Sequence, residues 1–193
     1  MKAVINLVLV LLIGLLGYML YSSIEEPIAF QAQKKMRQDR VVAQLEDIRT
    51  SQEIFKSVTG RFASDFDSLA YYLKNGDILV ETILGDPDDP TNMDKVIRDT
   101  TYLSAKDSIM ALGINVDSLK YVPFSNGSVF EMTADTITYQ STLTNVVEVK
   151  TFWKVFMGPF AHERFTKYDN RYDPEAPMKF GDMNKPTLSG NWN

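Results

Sequence analysis

The residues whose types and spacing could do chemistry are carboxylates. Asp86, Asp88, Asp89 and Asp94 fall within one short run, GDPDDPTNMD at 85–94. Such a run offers several hard oxygens, and a calcium ion takes about six to eight. The spacing fits no EF-hand, and Asp-Pro pairs also build simple turns. Calcium is therefore the one metal these residues suit, and no other cofactor is expected. Asp169, Asn170, Asp173 and Glu175 form a second acidic run of the same kind. Other chemistries lack their parts. The chain has no cysteine and a single histidine, which excludes disulfides, thiol catalysis, Cys-ligated zinc and a His-rich metal site. A Ser-His-Asp triad would have to use His162 with a serine that no nucleophile motif marks. In its context, AHERF, a surface or partly packed histidine is the ordinary outcome. Neither G-x-x-x-x-G-K-[ST] nor G-x-G-x-x-G occurs, so no nucleotide is expected. A formal charge of -5 gives no global basic field for nucleic acid. The chain is expected not to be an enzyme.

The elements that must carry these residues begin with an apolar segment. Positions 3–20 read AVINLVLVLLIGLLGYML, with no charge and only Asn6 strongly polar. Extended to Ile24, the segment makes a helix of roughly 33 Å at 1.5 Å per residue, against a hydrocarbon core of about 30 Å. Lipid offers the backbone no hydrogen bonds, so a helix is the form such a segment takes there. Tyr18 and Tyr21 stand near one end, where amphipathic rings prefer the headgroup level. A cleaved signal is the competing reading; its apolar region is usually about 7–15 residues, shorter than this one. Residues 1–24 are expected to be a single-pass anchor in the inner membrane. Lys2 and the amino terminus place the N-terminus in the cytoplasm, against Lys34, Lys35, Arg37 and Arg40 farther along, and the bulk is expected in the periplasm.

Pro27 follows, where its missing N–H and its ring would kink a continuous helix or open a new one. Residues 28–58 hold no other Pro or Gly and are rich in helix formers. QAQKKMRQDR at 31–40 reads as a solvated stalk. Val41, Leu45, Ile48, Gln52 and Phe55 then share one helical face through spacings of four and three. Gln52 is the polar gap in that stripe, and Thr59-Gly60 is the stop. Ser64 or Asp65 caps a short helix over 66–74, ended by Asn75-Gly76. A strand is expected at 78–84, with one or two more in 95–104. The runs 119–124, 128–133, 136–142 and 146–157 predict a meander of about four antiparallel strands, with Asn126-Gly127 as a hairpin turn. In the last of them, strand geometry would turn Phe152 and Phe156 one way and Trp153 the other. A short helix at 161–168 and an extended, Pro-rich tail wrapping the body or a neighbour complete the chain. The expected architecture is α+β: a long N-terminal transmembrane-plus-stalk helix packed on an antiparallel β-meander, with an extended C-terminal tail. Its parts are the anchor (1–24), the stalk helix (25–60), the globular domain (61–160) and the irregular tail (161–193).

This layout resembles type IV pilins and type II secretion pseudopilins. The likeness is carried by LEDIRTSQEIFKSVTGRFASDFDSL at 45–69, through Ile48, Arg49, Gln52, Glu53, Phe55, Gly60, Arg61, Phe62, Asp67 and Leu69. The family's Gly-then-Phe leader junction and its early anchor glutamate have no counterpart here, which leaves Asn6 as the candidate stand-in for the glutamate. YVPFSNG at 121–127 and the GNWN ending also resemble envelope proteins of Bacteroidota-type bacteria. The resemblance implies a structural subunit of a bacterial envelope assembly or secretion-type filament. It would act by packing its anchors and stalks beside other envelope proteins or copies of itself. The alternative is an accessory subunit of a non-filament complex, with the stalk holding a binding domain off the membrane. Asn6 and Pro27 are the membrane and assembly residues that follow from this reading.

Overall fold

The computed structural model describes residues 1–84 and 97–192. It is α+β, with a long N-terminal helix and antiparallel sheets. Helix α1 spans Lys2–Thr59 without interruption and includes Pro27. Proline removes the N–H that would have reached the carbonyl of Ser23 and sets its ring against that carbonyl. That residue is exposed, so water or a headgroup can take the freed carbonyl. The helix ends where Gly60 adopts φ 78° and donates its N–H to the Lys56 carbonyl, a left-handed cap that glycine enters without strain.

The apolar stripe docks as its spacing requires. Val41, Leu45, Ile48 and Phe55 are buried, in one core with Leu69, Leu73, Ile109, Leu119, Val147, Val149 and Phe180. Gln52 is buried with them, yet both ends of its amide are satisfied by one residue. Its Nε2 donates to the Ala63 carbonyl at 3.0 Å, and its Oε1 accepts the Ala63 N–H at 2.9 Å. The polar gap is thus a clamp that fixes the chain as it leaves Gly60.

Helix α2 (Phe66–Asn75) is capped by Asp65, which accepts the Ser68 N–H. Strands β1 (Asp77–Leu84) and β2 (Ile97–Ser104) form a separate antiparallel pair, followed by helix α3 (Ala105–Ala111). The second sheet has the order β3-β4-β5, with β3 at Glu131–Tyr139, β4 at Thr142–Phe152 and β5 at Pro177–Gly181.

This sheet is antiparallel as expected but divides the sequence differently. Its hairpin turns at Gln140-Ser141, at φ 48° and 66°, which gives the two-residue turn a twist matched to the strands. Residues 128–142 accordingly supply one strand where two were expected. Asn126-Gly127 closes only a loop, with a single bridge between Tyr121 and Val129. Pro123 has no N–H to extend a ladder there, and the Ser125 hydroxyl donates to the Val122 carbonyl and accepts the Ser128 N–H, holding a turn. Trp153 opens a helical turn, α4 (Trp153–Phe156), so the alternation expected of Phe152, Trp153 and Phe156 stops at β4.

The C-terminal segment wraps the body and completes the sheet. Gly181, at φ 79°, approaches so closely that a Cβ there would lie 1.9 Å from the Val147 carbonyl oxygen. Asn191 then secures the last turn. Its N–H donates to the Lys179 carbonyl, its Oδ1 accepts the Lys179 N–H, and its Nδ2 donates to the Pro177 carbonyl.

Candidate functional site: the anchor and the collar at its mouth

The first part of α1 touches nothing else in the molecule. It contains an 18-residue window of mean hydropathy 2.6 with none of that window buried. Among the described residues this is the one helix long and apolar enough to cross a membrane. Each large apolar side chain left in water would forgo about 1.5–3 kcal/mol of transfer free energy, and this segment presents more than a dozen. The chain therefore carries a candidate single-pass anchor near its N-terminus. Asn6 lies exposed within it. Pro27 lies just beyond its end and is half-buried. At 1.5 Å per residue the two are about 31 Å apart along the helix, so they do not form one site.

The body meets α1 immediately past the anchor. Phe30 is fully buried in an aromatic cage. It stacks on Phe165 at 5.3 Å, takes the edge of Tyr172 at 5.1 Å, and has Phe160 and Tyr168 at 6.1 Å. These rings come from a 3-10 turn at Gly158–Phe160 and a 3-10 helix at Glu163–Tyr168, here termed the collar, and from Tyr172 just after it. Polar contacts surround the cage. The Tyr168 hydroxyl donates to the Glu26 carboxylate, which also pairs with Arg164 at 3.3 Å and Lys167 at 3.7 Å. The Tyr168 hydrogen bond, with help from the two cations, holds the Glu26 carboxyl below its ordinary range. One turn on, Gln31 donates to the Tyr168 carbonyl and Lys34 reaches Asp169 at 2.5 Å. The Lys34 hydrogen bond, followed by the Arg171 N–H, lowers the Asp169 carboxyl. Arg37 donates to the Phe156 carbonyl at 2.6 Å and lies over the Phe124 ring.

The 31–40 run is therefore docked along one side rather than solvated all round. Positions 26, 30, 34, 37 and 41 recur at spacings of four and three, so the stripe that begins at Val41 extends back to Glu26. Lys34 and Arg37 lay their stems along the body and deliver their charged heads to an acid and a carbonyl. Only Phe30 would have signalled this from sequence, as the aromatic residue of a polar stretch and the one that continues the Val41 stripe backwards. Glu26, Tyr168 and Asp169 gave no local signal.

The acidic runs separate. Asp86, Asp88, Asp89 and Asp94 lie outside the described residues. In the second run Asp169 is committed to Lys34, Glu175 to Lys154 at 2.5 Å, and Asp173 to the Glu175 N–H. No group of three or more potential metal ligands occurs among the described residues. The His162 Nδ1 accepts the Arg164 N–H and caps the collar.

No family model, no curated protein and no solved structure matches this chain.

The face of α1 turned away from the body, just past the candidate anchor, carries apolar residues interspersed with the exposed Glu25, Lys35 and Asp39. Ile24, Ile28 and Met36 are 55%, 64% and 48% exposed. Ala32 lies between Ile28 and Met36, and Phe124 stands beside Met36, Asp39, Arg40 and Ala43. Ile28 is two positions on from Glu26, so it lies about 200° round the helix from that end of the docked face.

Proposed function

We propose that this protein is a membrane-anchored structural subunit of a bacterial envelope assembly or secretion-type filament, similar in plan to a pseudopilin. It sits in the inner membrane with its N-terminus in the cytoplasm and its body in the periplasm. The observation that carries this reading is the apolar stripe on the outer face of α1, continuous with the anchor and uncovered by the chain's own body. Every copy enters the bilayer through the same helix in the same direction, so the outer face of one copy meets the flank of the next at the same height. Ala32 and Ala43 let such helices approach closely, and Ile28 and Met36 supply the apolar area. The resemblance of residues 45–69 to pseudopilins supports the same plan.

Cysteine cross-linking in native membranes tests it, because the chain has no cysteine of its own. Ile28→Cys, Ala32→Cys and Met36→Cys, each carrying a benzophenone maleimide, are expected to give a ladder of covalent species on irradiation, while Thr50→Cys, past the apolar part of the stripe, gives none. A single species of fixed size containing another protein would favour the accessory-subunit alternative. Absence of any cross-link at all three positions would refute the assembly role.

The exposed β1–β2 pair favours a partner of some kind in either case. Leu79 and Tyr102 are paired across it, both are exposed, and Leu103 is exposed next to Tyr102. A two-stranded ribbon with uncovered apolar residues is marginal in water.

A further inference from the structure

We propose that the collar is a lipid-binding surface that seats the body on the bilayer, with Arg164 and Lys167 holding the phosphates of membrane headgroups. The inference rests on residues 1–24 being the anchor. Glu26 is two residues past Ile24, about 3 Å along the helix axis. Headgroup and interfacial layers extend about 5–8 Å beyond the hydrocarbon on each side. Whatever touches Glu26 therefore lies at headgroup depth, and Arg164 and Lys167 both do. Their side chains nonetheless remain 61% and 58% exposed, with donors left over after Glu26 is satisfied. A 3-10 helix has about three residues per turn, so residues three apart eclipse one another. Arg164 and Lys167 accordingly project from the same side of the collar, while Glu163 and Thr166 project from another. On that side two cations share one carboxylate, which leaves one positive charge, while Glu163 projects elsewhere and Glu25 lies about 100° round α1 from Glu26; the guanidinium fork suits a phosphate.

The aromatic cage makes this surface rigid. Phe30 ties the collar to α1 one turn above Glu26, so the two cations are held at a fixed depth. The consequence is a body that rests on the membrane. Residues 25–40 run through the body's flank and do not hold it away from the bilayer.

The test uses the full chain, one copy per lipid nanodisc. A spin label is placed at Glu163→Cys, in the collar, and separately at Leu143→Cys, in the β3–β4 hairpin. That hairpin stands at the far end of α1, where Asn145 donates to the Gly60 carbonyl. Collision with a water-soluble nickel chelate is measured in discs with and without phosphatidylglycerol. The label at 163 is expected to be several-fold less accessible than that at 143, and more protected with phosphatidylglycerol. Arg164→Gln with Lys167→Gln should remove the difference, and Arg164→Lys with Lys167→Arg should keep it. Equal accessibility at 163 and 143, in a chain that resists alkaline carbonate extraction, would overturn the seating and leave the anchor standing. Extraction by carbonate would overturn both. Protection that survives the double glutamine variant would overturn the role of the two cations.

Discussion

Phe30→Ala should detach the collar from α1 without unfolding the rest. The side chain is fully buried and packs against four aromatic rings. Truncating such a phenylalanine removes its transfer free energy and leaves a cavity, at a cost of about 3–5 kcal/mol. The remaining ties between collar and helix are polar and partly exposed: Glu26 to Tyr168, Arg164 and Lys167, Gln31 to the Tyr168 carbonyl, and Lys34 to Asp169. Exposed ion pairs contribute about 0–1 kcal/mol each, so they do not replace what is lost. The main core, built on Val41, Leu45, Ile48 and Phe55, lies farther along the helix and keeps its contacts. The loss therefore falls on local opening, whose equilibrium should rise by roughly a hundredfold to a few thousandfold at about 1.4 kcal/mol per decade. Limited trypsin digestion reads this directly, since Arg164, Lys167 and Arg171 lie in the released segment. Where reclosing outpaces cleavage, the rate follows the open population. Cleavage at these sites should accelerate by about that factor, while sites on 45–60 stay protected. A rate within threefold of the parent would refute the reasoning, as would global unfolding with no separate local phase.

Gln52→Leu should destabilise the chain by about 2–4 kcal/mol in urea titration. Leucine fills the space but leaves the buried Ala63 N–H and carbonyl unsatisfied, at about 1–3 kcal/mol for each lost partner. An unchanged midpoint would mean that water replaces the amide. Acid should loosen the collar before the core. The Asp169 carboxyl is lowered from 3.8, so its contribution is fully present above that value and is lost as pH falls through the lower folded pKa. Glu26 behaves likewise from 4.5 downward, and Lys34→Gln should flatten the Asp169 part of the profile, followed by hydrogen exchange at 160–172. Alkali acts through Tyr172, whose hydroxyl donates to the Phe160 carbonyl and whose pKa burial pushes up to about 12. The unfolded tyrosine ionises near 10, so stability should fall as pH rises from 10 towards 12. Absorbance titration should find one phenol that ionises late in the parent and is missing in Tyr172→Phe.

Local rules made α1, its Gly60 stop, the Asp65 cap and the strands at 77–84 and 97–104 legible, because each is decided by residues within a turn or two. The α+β class followed from them. Tertiary contacts decided the rest. Residues 128–142 carry β-forming residues throughout, and the break was placed by Ala134-Asp135 rather than by Gln140-Ser141, which has no glycine or asparagine to mark it. β5 is a five-residue strand in a Pro-rich segment; pairing with Phe152–Glu148 creates it, and its own propensity does not. The collar was harder still. Its helix was foreseen, but its partner is α1 more than 130 residues earlier, and no pattern within either segment points to the other.

Symmetry separates the two assembly readings. The body covers one face of α1, and the apolar stripe lies on nearly the opposite face, so two copies meeting stripe to stripe keep their bodies on the outside. That contact is isologous and closes at two chains. A filament instead needs a stripe to meet a different surface on the next copy, which is heterologous and has no built-in stop. The stripe is not self-sufficient: Phe124, from the chain's own loop, flanks it beside Met36 on one side only. This one-sided wall makes the groove asymmetric, and an asymmetric groove favours a partner surface unlike itself. Photo-cross-links from a benzophenone on Met36→Cys should then be found with positions outside 24–43 on the neighbour. Photo-cross-links confined to residues 24–43 of the neighbour, in a species that stops at two, would assign the stripe to a closed pair.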